Sequence, residues 1–107
     1  MANIMQWKYS GGFDSAEFAT AVTFDADTTL DTAQKDLFVV ATASAASKAL
    51  VLGLADGQAM IVANVGSTNA FTAKNLSTDT GTSIGTGKVA LVIGSTTANG
   101  TKVYVLN

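Results

Sequence analysis

The fold is decided by one repeated pattern, seen most plainly in the stretch Asp56-Gly57-Gln58-Ala59-Met60-Ile61-Val62-Ala63-Asn64-Val65-Gly66. A short run of apolar residues, two of them β-branched, lies between residues that favour turns. The pattern repeats over residues 37–107, and no proline interrupts it. It predicts six strands: Leu37–Ala43, Ala49–Leu54, Gln58–Asn64, Ala70–Lys74, Lys88–Gly94 and Thr101–Leu106. We therefore expect an all-β fold, an antiparallel sandwich or barrel-like domain over residues 13–107.

The residues before these strands predict one more strand and a loop. Phe18, Thr20, Val22 and Phe24 alternate with small residues, which favours a strand over a helix. Residues 25–36 are acidic and rich in Thr, and they are expected to form a loop. Four glycines are expected to supply the positive φ angles that tight turns require: Gly57, Gly66, Gly81 and Gly100.

Residues 1–12 are predicted to form an extended N-terminal arm ahead of the domain. The arm carries Ile4, the only Trp of the chain (Trp7) and Tyr9, and it ends in Gly11-Gly12. Two interpretations stay open. The arm is either a strand that closes the sheet or a segment whose aromatic residues bind a partner, since Trp and Tyr are enriched at interfaces.

Two predicted strands are apolar on both faces. In residues 59–63 and 89–93 no polar residue alternates with the apolar ones, although an antiparallel sheet with one solvated face should show that alternation. A second sheet or a second subunit must cover the additional face. We favour subunit packing around a symmetry axis, with four residues predicted at the subunit interface: Met60, Val62, Leu91 and Ile93.

The composition argues against catalysis and against nucleic-acid binding. The chain has no His and no Cys, and all six of its basic residues are Lys. Ser–His and Cys–His catalytic pairs are therefore excluded, and we predict no catalytic residues, cofactor or metal. Charged residues make up only 13% of the chain and the net charge is −2, so no basic patch is available for phosphates. No apolar run is long enough to form a spanning helix, so no membrane partner is expected.

Two motifs resemble ligand-binding loops but depart from the required patterns. Residues 25–36 begin like a calcium loop, but Leu30 and Asp36 stand where an EF-hand needs Gly and Glu. Residues 81–88 resemble a phosphate-binding loop, but Thr82 replaces a required Gly and Val89 replaces the Ser or Thr that binds magnesium. Both segments are interpreted as connecting loops.

Two segments resemble the β-domains of bacteriophage virion proteins. Residues 56–75 contain a DGQ turn, a strand, the turn Asn64-Val65-Gly66 and a second strand. Residues 88–107 contain a strand and then the ending Asn99-Gly100-Thr101-Lys102-Val103-Tyr104-Val105-Leu106-Asn107. In the proteins that the chain resembles, an NGTKWYVL-like hairpin closes the domain, and Val103 here replaces its Trp.

This resemblance implies a homotrimeric structural protein of the virion. It implies a capsid decoration (cement) protein, made in the cytoplasm of a bacterial host, that binds the major capsid protein or another virion component on the capsid surface. By this implication the protein bridges capsid subunits and stabilises the shell. The alternative that the resemblance leaves open is a receptor- or glycan-binding module of a phage head or tail fibre.

Overall fold

The computed structural model describes residues 19–31 and 37–106, and these ranges contain strands and turns but no helix. The described residues form nine strands: β1 (Ala19–Phe24), β2 (Thr28–Thr29), β3 (Phe38–Ala43), β4 (Lys48–Val51), β5 (Ala59–Asn64), β6 (Phe71–Lys74), β7 (Thr82–Ile84), β8 (Val89–Ile93) and β9 (Lys102–Val105). The all-β prediction is confirmed for this part of the chain. The predicted N-terminal arm lies outside the described residues.

The strands form two sheets between which the chain alternates. One sheet has the order β1-β3-β5-β8-β9 and the other the order β2-β4-β6-β7. From β1 to β6 each strand lies in the opposite sheet from the one before it, and strands of the same sheet run parallel. Parallel neighbours need a long crossover connection, which is usually a helix. Here each crossover contains a strand of the other sheet.

The expectation of a wholly antiparallel fold is therefore wrong, because both sheets are mixed. Antiparallel pairing is confined to three pairs near the C-terminus: β5 with β8, β6 with β7, and β8 with β9. The prediction of short strands separated by turns was correct. The turns, however, do not place each strand beside the strand that precedes it in the sequence. Residues 44–47, for example, carry the chain from β3 to β4 in the other sheet.

The two sheets enclose one hydrophobic core. Alternate residues of β3 and β5 are buried, and each strand therefore turns one side to the core. Phe24 of the five-stranded sheet meets Phe71 of the four-stranded sheet edge to face, with ring centroids 5.4 Å apart. Burying one large apolar side chain contributes about 1.5–3 kcal/mol to the stability of the fold. The largest buried apolar side chains come from both sheets and from the segments that join them: Leu30, Leu50, Leu52, Leu54, Met60, Phe71 and Ile84.

All six strands predicted over residues 37–107 are present, each within a few residues of its predicted bounds, and β1 matches the strand predicted around Val22. Two further strands lie in segments that were predicted to be loops. β2 lies in the acidic segment 25–36, and β7 lies in the segment 81–88. Both are short and pair with longer neighbours, β4 and β6.

The predicted turn conformations are correct at two of the four glycines. Gly57 and Gly81 have φ angles of 77°. Gly66 and Gly100 are not among the residues with positive φ, and Asn99 adopts φ 59° instead. A Cβ at Gly66 would lie 3.2 Å from Asn64 Oδ1 and from a methyl group of Thr42, so a larger residue there would require these side chains to shift slightly.

Candidate interaction surface

The five-stranded sheet has a second apolar side that faces away from the core. We call this side the outer face and define it by eight outward apolar residues of β3, β5, β8 and β9: Phe38, Val40, Ile61, Ala63, Val89, Leu91, Ile93 and Tyr104. These residues are half-buried or exposed, and Tyr104 is 52% exposed. Among the described strands of this sheet, one charged residue lies on this side. It is Lys102, in the edge strand β9. The sheet is therefore apolar on both sides, as residues 59–63 and 89–93 indicated.

The strand register joins the outer face into continuous rows. Phe38 lies opposite Ile61, Ile61 opposite Leu91, and Leu91 opposite Tyr104. Side chains that are directly opposite on one face have Cβ atoms about 4.5–5.5 Å apart, so these four form one apolar row across four strands. A parallel row contains Val40, Ala63 and Val89.

Leu106 extends the second row beyond the end of β9. Its backbone N–H donates to the carbonyl oxygen of Val89 (2.7 Å), and its side chain is 60% exposed. With strands about 4.8 Å apart and alternate residues about 6.6 Å apart, the rows cover a few hundred Å². An apolar patch of that size is about the largest that a typical monomeric protein exposes, and such a patch is often functional.

The structure separates the four residues that were predicted at a subunit interface. Leu91 and Ile93 lie on the outer face, where they are open to contact. Met60 and Val62 lie on the opposite side of the sheet, where they are 1% and 0% exposed and belong to the chain's own core. Their predicted interface role is corrected to a core role, because the internal packing of the two sheets already covers them.

Three residues of the central row were not predicted from the sequence. Phe38, Ile61 and Tyr104 complete the row of Leu91, but only the register of the strands shows this. The predicted partner-binding residues Ile4, Trp7 and Tyr9 lie outside the described residues.

The two segments that carry the resemblance meet at one end of the sheets. The Asp56 carboxylate accepts hydrogen bonds from the backbone N–H of Thr96 (2.6 Å) and from its hydroxyl group. Gly57 N donates to the Gly94 carbonyl, and Gly94 N donates to the Gln58 carbonyl. The Thr96 backbone and side-chain donors lower the pKa of Asp56. The DGQ turn therefore holds the loop between β8 and β9 in place.

A buried amide and a buried carboxylate join the loops next to this turn. The Asn75 side chain donates to the carbonyls of Leu54 and Ser95 and accepts from Leu54 N. The Asp79 side chain accepts from the backbone N–H groups of Asn75, Leu76 and Asn99 at 2.7–3.2 Å. No buried side-chain nitrogen or oxygen among the described residues lacks a partner. Asp79 therefore has a structural role, because both of its carboxylate oxygens accept hydrogen bonds from the backbone.

The environment of Asp79 predicts a loss of stability in acid. Burial acts to raise its pKa, but the backbone donors of Asn99, Leu76 and Asn75, aided by the charge of Lys74, outweigh this and lower the pKa below the usual 3.8. The carboxylate thus contributes stability that is complete above the unfolded-state pKa and is lost as pH falls through the folded-state pKa. We expect the free energy of unfolding, measured by urea titration, to change little between pH 7 and about pH 5 and to fall below about pH 4.

The matched variant for this prediction is Asp79→Asn, which keeps the shape of the side chain but does not titrate. It should be less stable than the native chain at pH 7 and should lose less stability on acidification. An equal loss in both proteins would show that other groups cause the acid sensitivity.

A cleft of about 270 Å³ opens between β6, β7 and the loop that precedes β9. Its lining includes Lys74, Thr82, Thr101 and Val103. The Thr101 hydroxyl group is already used within the loop, where it accepts from Ser95 N and donates to the Ser95 carbonyl. Its volume is just below the range that is usual for small-molecule sites, and no aromatic residue lines it. The cleft could hold a small polar ligand such as a monosaccharide, but it lacks an aromatic platform on which a sugar could stack.

Other kinds of site find little support in the described ranges. Among residues 19–31 and 37–106, no three His, Cys, Asp or Glu residues come together as metal ligands. One oxygen of Asp27 accepts from the backbone N–H of Ala49, which gives this residue of the acidic loop a structural contact. The described ranges also contain no helix of the length and apolarity needed to cross a membrane.

Comparisons with protein-family models, with curated proteins and with solved structures return no match for this chain.

Proposed function

We propose that this chain is a capsid decoration protein of a bacteriophage, which binds the outer shell as a homotrimer and bridges capsid subunits. The outer face carries the proposal. The chain already buries a full core between its two sheets, yet a second apolar surface of four strands remains. The largest apolar patch of a small protein is often functional, and a patch of this kind suits a protein that works in an assembly.

The scarcity of charge supports the same proposal. Only 13% of the residues are charged, and the outer face has its one strand-borne charge, Lys102, at its edge. A protein whose surface is covered by neighbours has little need of charge for solubility. In this proposal Leu91 and Ile93 become buried when the shell is decorated, and the major capsid protein or a second copy of the chain supplies the other side.

Attachment to shells tests the proposed function. The chain is mixed with shells of its own phage from which the decoration protein has been stripped, and the fraction that sediments with the shells is measured. We expect saturable binding and a rise in the temperature at which the shells rupture, because a ligand that binds only the intact shell stabilises it. Leu91→Lys should greatly weaken binding, since it places an unpaired charge in the interface.

The matched control is Ser83→Lys. Ser83 is exposed on the other sheet, in β7, so the variant adds the same charge far from the outer face. It should bind like the native chain. Equal loss of binding in both variants would show that the outer face is not the attachment surface, and no binding by the native chain would contradict the proposed function.

The alternative is a receptor- or glycan-binding module of a phage fibre, and the cleft beside Lys74 and Val103 is the observation that favours it. A glycan array distinguishes the two. Reproducible hits that are lost on Thr82→Val, together with no binding to shells, would favour the alternative.

A further inference from the structure

We propose that β9, the edge strand of the five-stranded sheet, pairs with β9 of a second copy of the chain across a two-fold axis. Within the described part of the chain the sheet ends at β9, whose one neighbour is β8. An edge strand leaves a row of N–H and carbonyl groups open to pairing with another chain. The contact uses the edge and leaves the outer face open, so this inference does not rest on the proposed function.

The register shows which backbone groups of β9 are open. Leu106 N donates to the Val89 carbonyl, and these two residues lie opposite each other across β8 and β9. Hydrogen-bonded and non-hydrogen-bonded pairs alternate along antiparallel strands, so Tyr104 bonds to β8 in the same way. The N–H and carbonyl groups of Val103 and Val105 therefore point away from β8, to the open edge of the sheet.

The side chains of β9 are also incompletely covered. Val103 packs against the core, whereas Val105, on the same side of the strand, is 41% exposed. Tyr104 and Leu106 lie on the other side, and each is more than half exposed. Natural edge strands are protected from pairing by charge, proline or a bulge. In β9 the one charged residue is Lys102, at the start of the strand, and no proline is present.

One register of β9 against β9 satisfies both the backbone and the side chains. It places Tyr104 opposite its own copy at the two-fold axis, and Val103 opposite Val105. The valines then exchange the open N–H and carbonyl bonds, and their β-branched side chains cover each other on the core side. Lys102 lies opposite Leu106, and the two copies of Lys102 are roughly 14 Å apart along the strands, so like charges do not meet.

The same register joins the outer faces of the two copies. Antiparallel pairing of identical strands gives a two-fold axis perpendicular to the sheet, and this axis keeps both outer faces on one side. The central row through Ile61, Leu91 and Tyr104 then continues into the second copy. The pair presents one continuous apolar surface instead of two separate ones.

Engineered cysteines test this register, because the native chain has no Cys. Tyr104→Cys places the two thiols at the axis, in a non-hydrogen-bonded pair with Cα atoms about 4.5 Å apart, which suits a disulfide. Lys102→Cys is the matched control: it is exposed on the same side of β9, but its copies would be roughly 14 Å apart. We expect Tyr104→Cys to form a disulfide-linked dimer many-fold faster than Lys102→Cys. Equal rates, or no cross-link in Tyr104→Cys, would overturn the inference.

Val105→Pro tests the open backbone groups. Because the Val105 N–H points away from β8, proline there removes no hydrogen bond within the chain, and such edge positions tolerate it. Sedimentation velocity over a concentration series, without shells, should show the native chain forming dimers and Val105→Pro losing this association with unchanged circular dichroism. The cysteine test does not depend on this variant and decides the question if Val105→Pro does not fold.

Two sedimentation results would contradict the proposed pairing. One is a native chain that stays monomeric at its highest soluble concentration. The other is association that persists in folded Val105→Pro, and its loss in Leu91→Lys would then assign the contact to the outer face. Because these measurements use no shells, their failure is distinguishable from failure of the proposed function.

Discussion

Replacing Asn75 with alanine is expected to lower the free energy of unfolding by about 3 kcal/mol or more, the largest effect that we expect from any polar substitution. Asn75 is completely buried, and its side chain satisfies three backbone groups: the N–H and carbonyl of Leu54 and the carbonyl of Ser95. Alanine would leave the two Leu54 groups buried without partners, and each such group costs about 1–3 kcal/mol. The Ser95 carbonyl would lose one of its two donors and keep the Thr101 hydroxyl group.

Thermal unfolding followed by circular dichroism measures this effect. A loss of about 3 kcal/mol corresponds to a fall in the midpoint of roughly 12 °C or more in a domain of this size. Asn69→Ala is the graded control, because the Asn69 side chain makes one partly buried bond, to the Ala43 carbonyl. It should cost about 1 kcal/mol. Equal midpoints for Asn75→Ala and the native chain would contradict the structural role assigned to the hydrogen bonds between Asn75 and the backbone of Leu54 and Ser95.

Replacing Phe71 with alanine is expected to destabilise the protein by about 3–5 kcal/mol. Phe71 is 1% exposed and makes the edge-to-face contact with Phe24 that joins the two sheets. The substitution removes both the burial of the ring and this aromatic contact, and a domain of this size has only about 5–15 kcal/mol of total stability. Urea unfolding should show a much lower midpoint.

The control for Phe71→Ala is Val65→Ala, which shortens a side chain that is 59% exposed. Its effect should lie within about 0.5 kcal/mol of zero. A small effect of Phe71→Ala would show that the two sheets do not share one core, and the assignment of an outer face would then have to be revised.

The sequence predicted strand positions better than it predicted how the strands pair. Apolar runs between turn residues located all six strands of residues 37–107 because each long strand buries alternate side chains. β7 was not predicted, since Thr82 and Ser83 are polar and the strand is formed only through pairing with β6. Parallel pairing was not predicted either. It depends on which sheet the chain enters after each turn, and the local sequence does not show this.

The same limit explains what was predicted of the candidate surface. The sequence showed that residues 59–63 and 89–93 are apolar on both sides. This pattern predicted a second apolar surface in addition to the one that faces the core. It could not show which side faces inwards, because Met60 and Val62 are as apolar as Ile61 and Leu91. The four-stranded sheet, which contributes Phe71 and Leu50 to the same core, decides this, and Met60 and Val62 therefore lie in the core. The row from Phe38 to Tyr104 needed the register of β3, β5, β8 and β9.

Cryo-electron microscopy of shells decorated with the native chain tests the central claim most directly. The account predicts density for three copies of the two-sheet domain around a symmetry axis on the outside of the shell. It also predicts that Ile61, Leu91 and Ile93 are buried against a neighbouring copy or a capsid subunit. Domains bound with the outer face open to solvent, or shells that remain bare at saturating protein, would contradict it.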